Sequence, residues 1–246
     1  MGLSPEASPR QPISTKLNRM VRSGYARVTS AGTRLDHTSR TARRTSTRWD
    51  PGPCKTPPVS APPEVPDAVA RAFDVSRRAG YVSFCRNETG RLLATLAASR
   101  EGTLAEMGTG CGVGTAWLRS GVRPDAHIVT AELDAELAEG AAEIFDGDDQ
   151  VEVLAADSST LRERAPFSLL FVDSRDPGTS GPDSVADLVE PGGLGVLDDF
   201  VPCQAWPPVS SGRVDSLREA WLSDERFTAV EVMVAPDTSV LLATRR

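Results

Sequence analysis

Residues 106–114 read Glu106-Met107-Gly108-Thr109-Gly110-Cys111-Gly112-Val113-Gly114. Four alternating glycines let a backbone turn sharply and bring its N–H groups close to a ligand. The stretch begins in the apolar run TLAEM (103–107), which reads as a buried strand, and leads into a helical pattern from Gly112 to Val122. A ligand on such a loop lies at the positive end of the helix, at the carboxyl edge of a parallel sheet. The dinucleotide fingerprint G-x-G-x-x-G is not met. Counted from Gly108 its third glycine falls on Val113, and counted from Gly110 on Thr115, which disfavours NAD and FAD.

Outward from the loop, the chain alternates. HIVTAE (127–132) reads as a second strand, followed by a helix from Asp134, a good N-cap, to Phe145. VEVLAA (151–156), SLLFV (168–172) and LGVL (194–197) are strands three to five, with helical stretches between them. Upstream, Val69 with Phe73, and then Leu93, Leu96 and Ala97, predict two helices. Short apolar runs separated by helices indicate parallel strands covered on both faces. Val214, Leu217 and Trp221 predict one face of a late helix. FTAVEVMV (227–234) and SVLLATR (239–245) are too close for a crossover helix and must form an antiparallel hairpin. The expected fold is α/β, a doubly wound seven-stranded sheet of five parallel strands plus a C-terminal hairpin.

Charge divides the chain. Residues 1–60 hold 11 Lys/Arg against 3 Asp/Glu, which leaves 16 against 31, a net of −15, for the rest. An acidic body argues against nucleic acid as its partner, because that affinity comes from cations neutralising phosphates. The arm, rich in Arg, Ser and Thr, lacks a core-forming period and is expected to be disordered. Prolines 51, 53, 57, 58, 62, 63 and 66 make a stiff linker, so the folded domain is expected over 67–246 and the arm and linker over 1–66. A tail for an acidic partner, a targeting segment and an upstream start codon remain open readings of the arm. No apolar run is long enough to span a membrane, and a cytoplasmic location is expected. Cys54, Cys85, Cys111 and Cys203 lack metal-site spacing and read as reduced thiols.

Glu132, at the end of the second strand, stands where a carboxylate accepts both hydroxyls of a ribose; the alternative is a solvated loop acid. Asp157, after the third strand, either accepts from an adenine amino group or caps a turn with Ser158 and Ser159. His127 starts strand two at the opposite edge and reads as structural.

Together these residues resemble the class I S-adenosylmethionine-dependent methyltransferases, over about residues 84–246. The resemblance implies that Glu106 lies near the methionine end of the cofactor. It implies that Gly108, Thr109, Gly110 and Gly112 contact the cofactor, that Glu132 holds the ribose, and that Asp157 and Asp173 are further contacts. ETGRLLATL (88–96), GTGCGVGTAWL (108–118) and PGGLGVLDDF (191–200) resemble the cation-dependent O-methyltransferases of catechols and caffeoyl thioesters. That likeness implies a small-molecule acceptor, a homodimer, and a Mg²⁺ held by Asp173, Asp198 and Asp199. The family carries Asn where Asp199 stands, and its catalytic lysine is replaced by Asp176; no lysine follows Lys55. Asp173, Asp176 and Asp199 are therefore the candidate catalytic acids.

Asp173-Ser174-Arg175-Asp176-Pro177-Gly178 lacks the Asn/Asp-Pro-Pro-aromatic run typical of nucleic-acid amino methylation. Arg175 is expected to orient an anionic substrate or pair with an acid, and Phe200, Trp206 and Trp117 to wall a planar acceptor, with core packing the alternative for Trp117 on its helix. Two other readings stand beside the leading one: metal-independent methylation of a small molecule, and a cofactor-binding protein without activity.

Overall fold

The computed structural model describes residues 64–82, 84–173 and 177–246. The basic arm, nearly all of the linker, Cys54, Arg175 and Asp176 lie outside them. Helices α1 (Asp67–Ala79) and α2 (Asn87–Ala97) come first. Gly80, left-handed at φ 65, ends α1: its N–H and that of Tyr81 return to the carbonyls of Arg77 and Ser76, sending the chain toward the glycine loop.

The sheet is built from β1 (Thr103–Met107), β2 (His127–Glu132), β3 (Val151–Ala155), β4 (Phe167–Val172), β5 (Val189–Phe200), β8 (Phe227–Ala235) and β9 (Thr238–Arg245). Its spatial order is β3-β2-β1-β4-β5-β9-β8, with the first five strands parallel and β9 antiparallel to both β5 and β8. The seven-stranded α/β fold read from the sequence is the observed one. The direction of winding reverses between β1 and β4, so the ligand crevice of a doubly wound sheet lies at the carboxyl end of β1.

Between the strands run α3 (Val113–Gly121), α4 (Ala135–Ile144), a 3-10 turn over Ser158–Glu163, and two short helices, α5 (Pro177–Ser180) and α6 (Pro182–Ala186). Asp134 caps α4 as expected, accepting from the N–H groups of Glu136 and Leu137. The period of two along each strand divides the core. Leu104, Leu169 and Phe171 pack under α1 to α3, whereas Ala105, Met107, Leu170 and Val172 pack on the other face with Trp221 and Phe227. All six residues of β4 are buried, as its central place requires.

One expectation fails downstream of β5. Val214 does not belong to the late helix but to a two-stranded ribbon, β6 (Val209–Ser210) with β7 (Arg213–Val214), and is 52% exposed. Asp215 caps the helix one residue later, accepting from the Arg218 N–H at 3.1 Å, so α7 runs over Ser216–Ser223. No described helix is long and apolar enough to cross a membrane.

Candidate functional site

The described candidate acids lie at or just past the carboxyl ends of parallel strands, and their order across the sheet is Asp157, Glu132, Glu106 with the glycine loop, Asp173, then Asp198 with Asp199. Gly108 N–H and Thr109 N–H donate to Ala131 O at 3.0 and 3.3 Å, which seats the loop on the end of β2. Gly112, at φ 82, is the left-handed N-cap of α3, a conformation that costs any residue with a Cβ. Thr109 turns inward, its Oγ1 2.5 Å from that of Thr130, so its backbone rather than its side chain faces the crevice.

Glu132 faces the loop as expected. Its Oε2 accepts from Gly110 N–H at 2.8 Å and its Oε1 from Asp134 N–H at 3.0 Å. A carboxylate has roughly four acceptor positions, so about two remain for a diol. The loop and the first turn of α4 thus fix a carboxylate that still has capacity for a ligand.

Glu106 is the more unusual acid. It is 1% exposed, its Oε2 accepting from Thr130 Oγ1 at 3.0 Å and, very closely, from Thr115 Oγ1 of α3. Burial pushes its carboxyl up to about 8, against the lowering by Thr115 and with help from the charge of Asp173. Its Oε1 occupies the space that a side chain at Gly114 would need: a Cβ there would stand 2.0 Å away. Glu106 therefore braces the loop from beneath.

Asp157 is exposed and accepts from Ser159 N–H at 2.9 Å, capping the 3-10 turn; the Ser159 side chain first, and then this N–H, hold its carboxyl below the usual range. The capping alternative is what the structure displays.

The acids expected to hold Mg²⁺ are arranged differently. Among the described residues no three His, Cys, Asp or Glu side chains form a group suited to a metal ion. Asp198 is buried and accepts from Thr89 Oγ1 of α2 at 3.1 Å, whereas Asp199 is exposed at φ 69. The pairing of β5 with β9 is irregular at this pair, and the two carboxylates end in different surroundings, one buried and one exposed. The donor set of Asp173, Asp198 and Asp199 does not fit the cation site inferred from the resemblance.

The expected aromatic wall is also revised. Trp117 is 3% exposed and packed against Gly90, where a Cβ would meet its ring at 2.2 Å, so it belongs to the α2–α3 core. Phe200 is 7% exposed beneath Arg218, which leaves Trp206, 65% exposed, as the accessible ring.

Sequence reasoning missed three residues that reach the crevice from upstream. Thr89 holds Asp198. Tyr81 lies against the loop, its hydroxyl 3.0 Å from where a Gly110 Cβ would stand. Cys85 is buried, and its thiol is pushed well up by burial and then by the charges of Asp173, Asp198, Glu106 and Asp199. An ion pair fixes this upstream segment: Arg86 donates twice to Asp237 of the β8–β9 turn, at 2.8 and 2.9 Å. Cys85, Cys111 and Cys203 are free thiols, in keeping with the sequence reading.

Neither a family model nor a curated protein matches this sequence. Solved structures do match it. The O-methyltransferase TomG of Streptomyces achromogenes, involved in tomaymycin synthesis and solved with SAM, is 23% identical with a TM-score of 0.60, covering 74% of this chain and 92% of its own. An O-methyltransferase of Bacillus cereus in complex with SAH is 20% identical, with a TM-score of 0.61 and coverage of 75% and 94%. The SAH-bound methyltransferase PaMTH1 of Podospora anserina is 19% identical, with a TM-score of 0.61 and coverage of 74% and 89%. The chain has the fold of these proteins along nearly their whole length.

Proposed function

We propose that this chain is an S-adenosylmethionine-dependent methyltransferase acting on a hydroxyl of a small molecule, without a resident cation. The observation that carries the reading is Glu132: a carboxylate fixed by the N–H groups of Gly110 and Asp134, with acceptor capacity left over, beside a glycine loop at the sheet's reversal point. The same fold in proteins solved with SAM or SAH supports it. Gly108, Gly110 and Gly112 would pass the methionine end of the cofactor close to the backbone, and Glu132 would take the ribose.

When bound, the cofactor supplies a methyl group on a positively charged sulfur. The acidic crevice suits that charge. The residues beyond β4 and β5 hold the acceptor oxygen in line with the methyl, which is where most of the rate of such a step originates. As the O–C bond forms and the S–C bond breaks, the hydroxyl proton becomes strongly acidic, so a carboxylate suffices to take it. Asp173 and Asp199 are the candidates for that role, together with Asp176, while Asp198 is buried against Thr89. A carboxylate base also accounts for a chain with no lysine after Lys55.

Glu132→Ala should weaken binding of S-adenosylhomocysteine by about 1.5 to 3 kcal/mol, roughly tenfold or more. Calorimetry on the folded variant checks it, and unchanged affinity removes Glu132 from the site. Turnover of phenolic acceptors should be indifferent to EDTA and to added Mg²⁺; a loss on chelation restores the cation-assisted mechanism. The folded unit is proposed to start at the linker's end, since α1 begins at Asp67. Deleting residues 1–60 should leave the thermal midpoint and cofactor affinity unchanged, and a large fall in either refutes that boundary.

A further inference from the structure

The Asp198–Asp199 pair lies on a discontinuity in the sheet. Pairing of β5 with β9 runs to Leu197 opposite Leu241 and resumes at Phe200 opposite Ser239, with Asp199 left-handed between them. Outside glycine, Asn and Asp are the residues that adopt this conformation most readily, and the neighbouring structure decides whether it is kept. Directly downstream lies a buried polar cluster. Arg218 of α7, 1% exposed, donates from Nη2 to Val201 O at 2.9 Å. Its Nη1 lies 3.3 and 3.2 Å from the two oxygens of Glu231 on β8, and its Nε 3.3 Å from Asp215 Oδ2. Ser239 Oγ, fully buried on β9, donates to Glu231 Oε1 at 2.5 Å, and the Arg218 guanidinium lies 5.1 Å from the centre of the Phe200 ring.

Side chains from α7, β8 and β9, with the cap Asp215, thus gather at Phe200 and Val201, directly after the candidate acids. A buried ion cluster is a poor source of stability, because desolvation offsets most of its attraction and an apolar side chain of similar size does as well. What an apolar side chain would not supply is a donor to the Val201 carbonyl. The planar guanidinium holds that carbonyl and the Glu231 carboxylate at the same time, which an ammonium group does not reproduce.

We propose that Arg218 is a positioning residue for the acceptor side of the crevice: through Val201, Glu231 and Asp215 it fixes the chain leaving β5, and with it the Asp198–Asp199 bulge, in the conformation that receives the acceptor hydroxyl. The inference rests on the methyl-transfer reading above.

The test uses the full-length chain with Arg218→Met and Arg218→Lys, and reads peptide-resolved hydrogen exchange. Both variants should accelerate exchange of the amides in 199–206 by at least roughly tenfold while β1 and β4 keep their protection. Affinity for S-adenosylhomocysteine should remain within about twofold. With catechol as the probe acceptor, kcat should fall at least roughly tenfold while KM for S-adenosylmethionine stays within about twofold. Unchanged exchange in 199–206, acceleration spread evenly over the sheet, or full rescue by Arg218→Lys would overturn the proposal. If Arg218→Met does not fold, Glu231→Gln removes the charge and keeps the shape, and should give the same local pattern; an even pattern again overturns it. A wild-type chain that fails to bind S-adenosylhomocysteine or to methylate catechol defeats the cofactor or acceptor reading, while the exchange pattern still decides the clamp.

Discussion

Replacing Glu106 by glutamine should leave stability nearly unchanged at pH 4.5 and raise it by on the order of 2 to 4 kcal/mol at pH 8. The sign follows from burial. The Glu106 carboxyl ionises near 8 in the folded chain, pushed up chiefly by desolvation, against about 4.3 in an unfolded one. Between those values the folded state holds a proton that the unfolded state has lost, so stability falls as pH rises, by up to about 1.4 kcal/mol per pH unit, and levels above 8. Glutamine does not titrate and removes that slope. It also fits: Thr115 and Thr130 both donate to the same oxygen, Oε2, which an amide oxygen replaces. Urea unfolding of both proteins from pH 4.5 to 8.5 checks this, and parallel curves would show that Glu106 is ionised in its buried place.

Gly121→Ala should cost about 3 kcal/mol, the upper end of the range for overpacking, while Gly140→Ala should be neutral or stabilising by up to about 1 kcal/mol. Both glycines are helical, and the difference is what a Cβ would meet. At Gly121 it would stand 2.0 Å from Ala94 O and 2.6 Å from Ala94 C, backbone atoms of α2 that can yield only if the helix moves. At Gly140 it would meet one methyl of Val75 at 3.2 Å. Displacing α2 would also draw Thr89 from Asp198, so Gly121→Ala should lose activity beyond its loss of stability. Equal thermal midpoints for the two variants would contradict the close approach of α2 and α3.

What the sequence disclosed, and what it hid, follows from the range of the interactions. β1 and β2 were legible to the residue because each is a short run ended by a break, glycines at 102 and 108 for β1 and the Pro124-Asp125 and Asp134 turns for β2, and the cap at Asp134 is a local bond. β5 was read only from Leu194, although it begins at Val189. Pro191, Gly192 and Gly193 look like a break and instead form an irregularity in the pairing with β4, between Phe167 and Leu169. Glu132 was legible because strand end and loop are joined by the topology itself. Thr89, Tyr81, Cys85 and Arg218 were not. Thr89 stands 109 positions from the acid it holds, and no spacing rule connects residues that meet only after α2 has folded across the strand ends. The metal expectation failed at the same level: three acids at neighbouring strand ends were visible in the sequence, but the left-handed turn at Asp199 was not.

The order of the last two strands bears on how the protein can be made. β9 is the final strand to leave the ribosome, yet it lies between β5 and β8, so β8 has no place in the sheet until Arg245 has been synthesised. Throughout translation the open edge of β5 has no partner, and unpaired edges are where nascent chains adhere to one another. A premature stop just after Asp237 would remove eight strand residues and strand nine more, leaving one edge of β5 open and β8 without a neighbour.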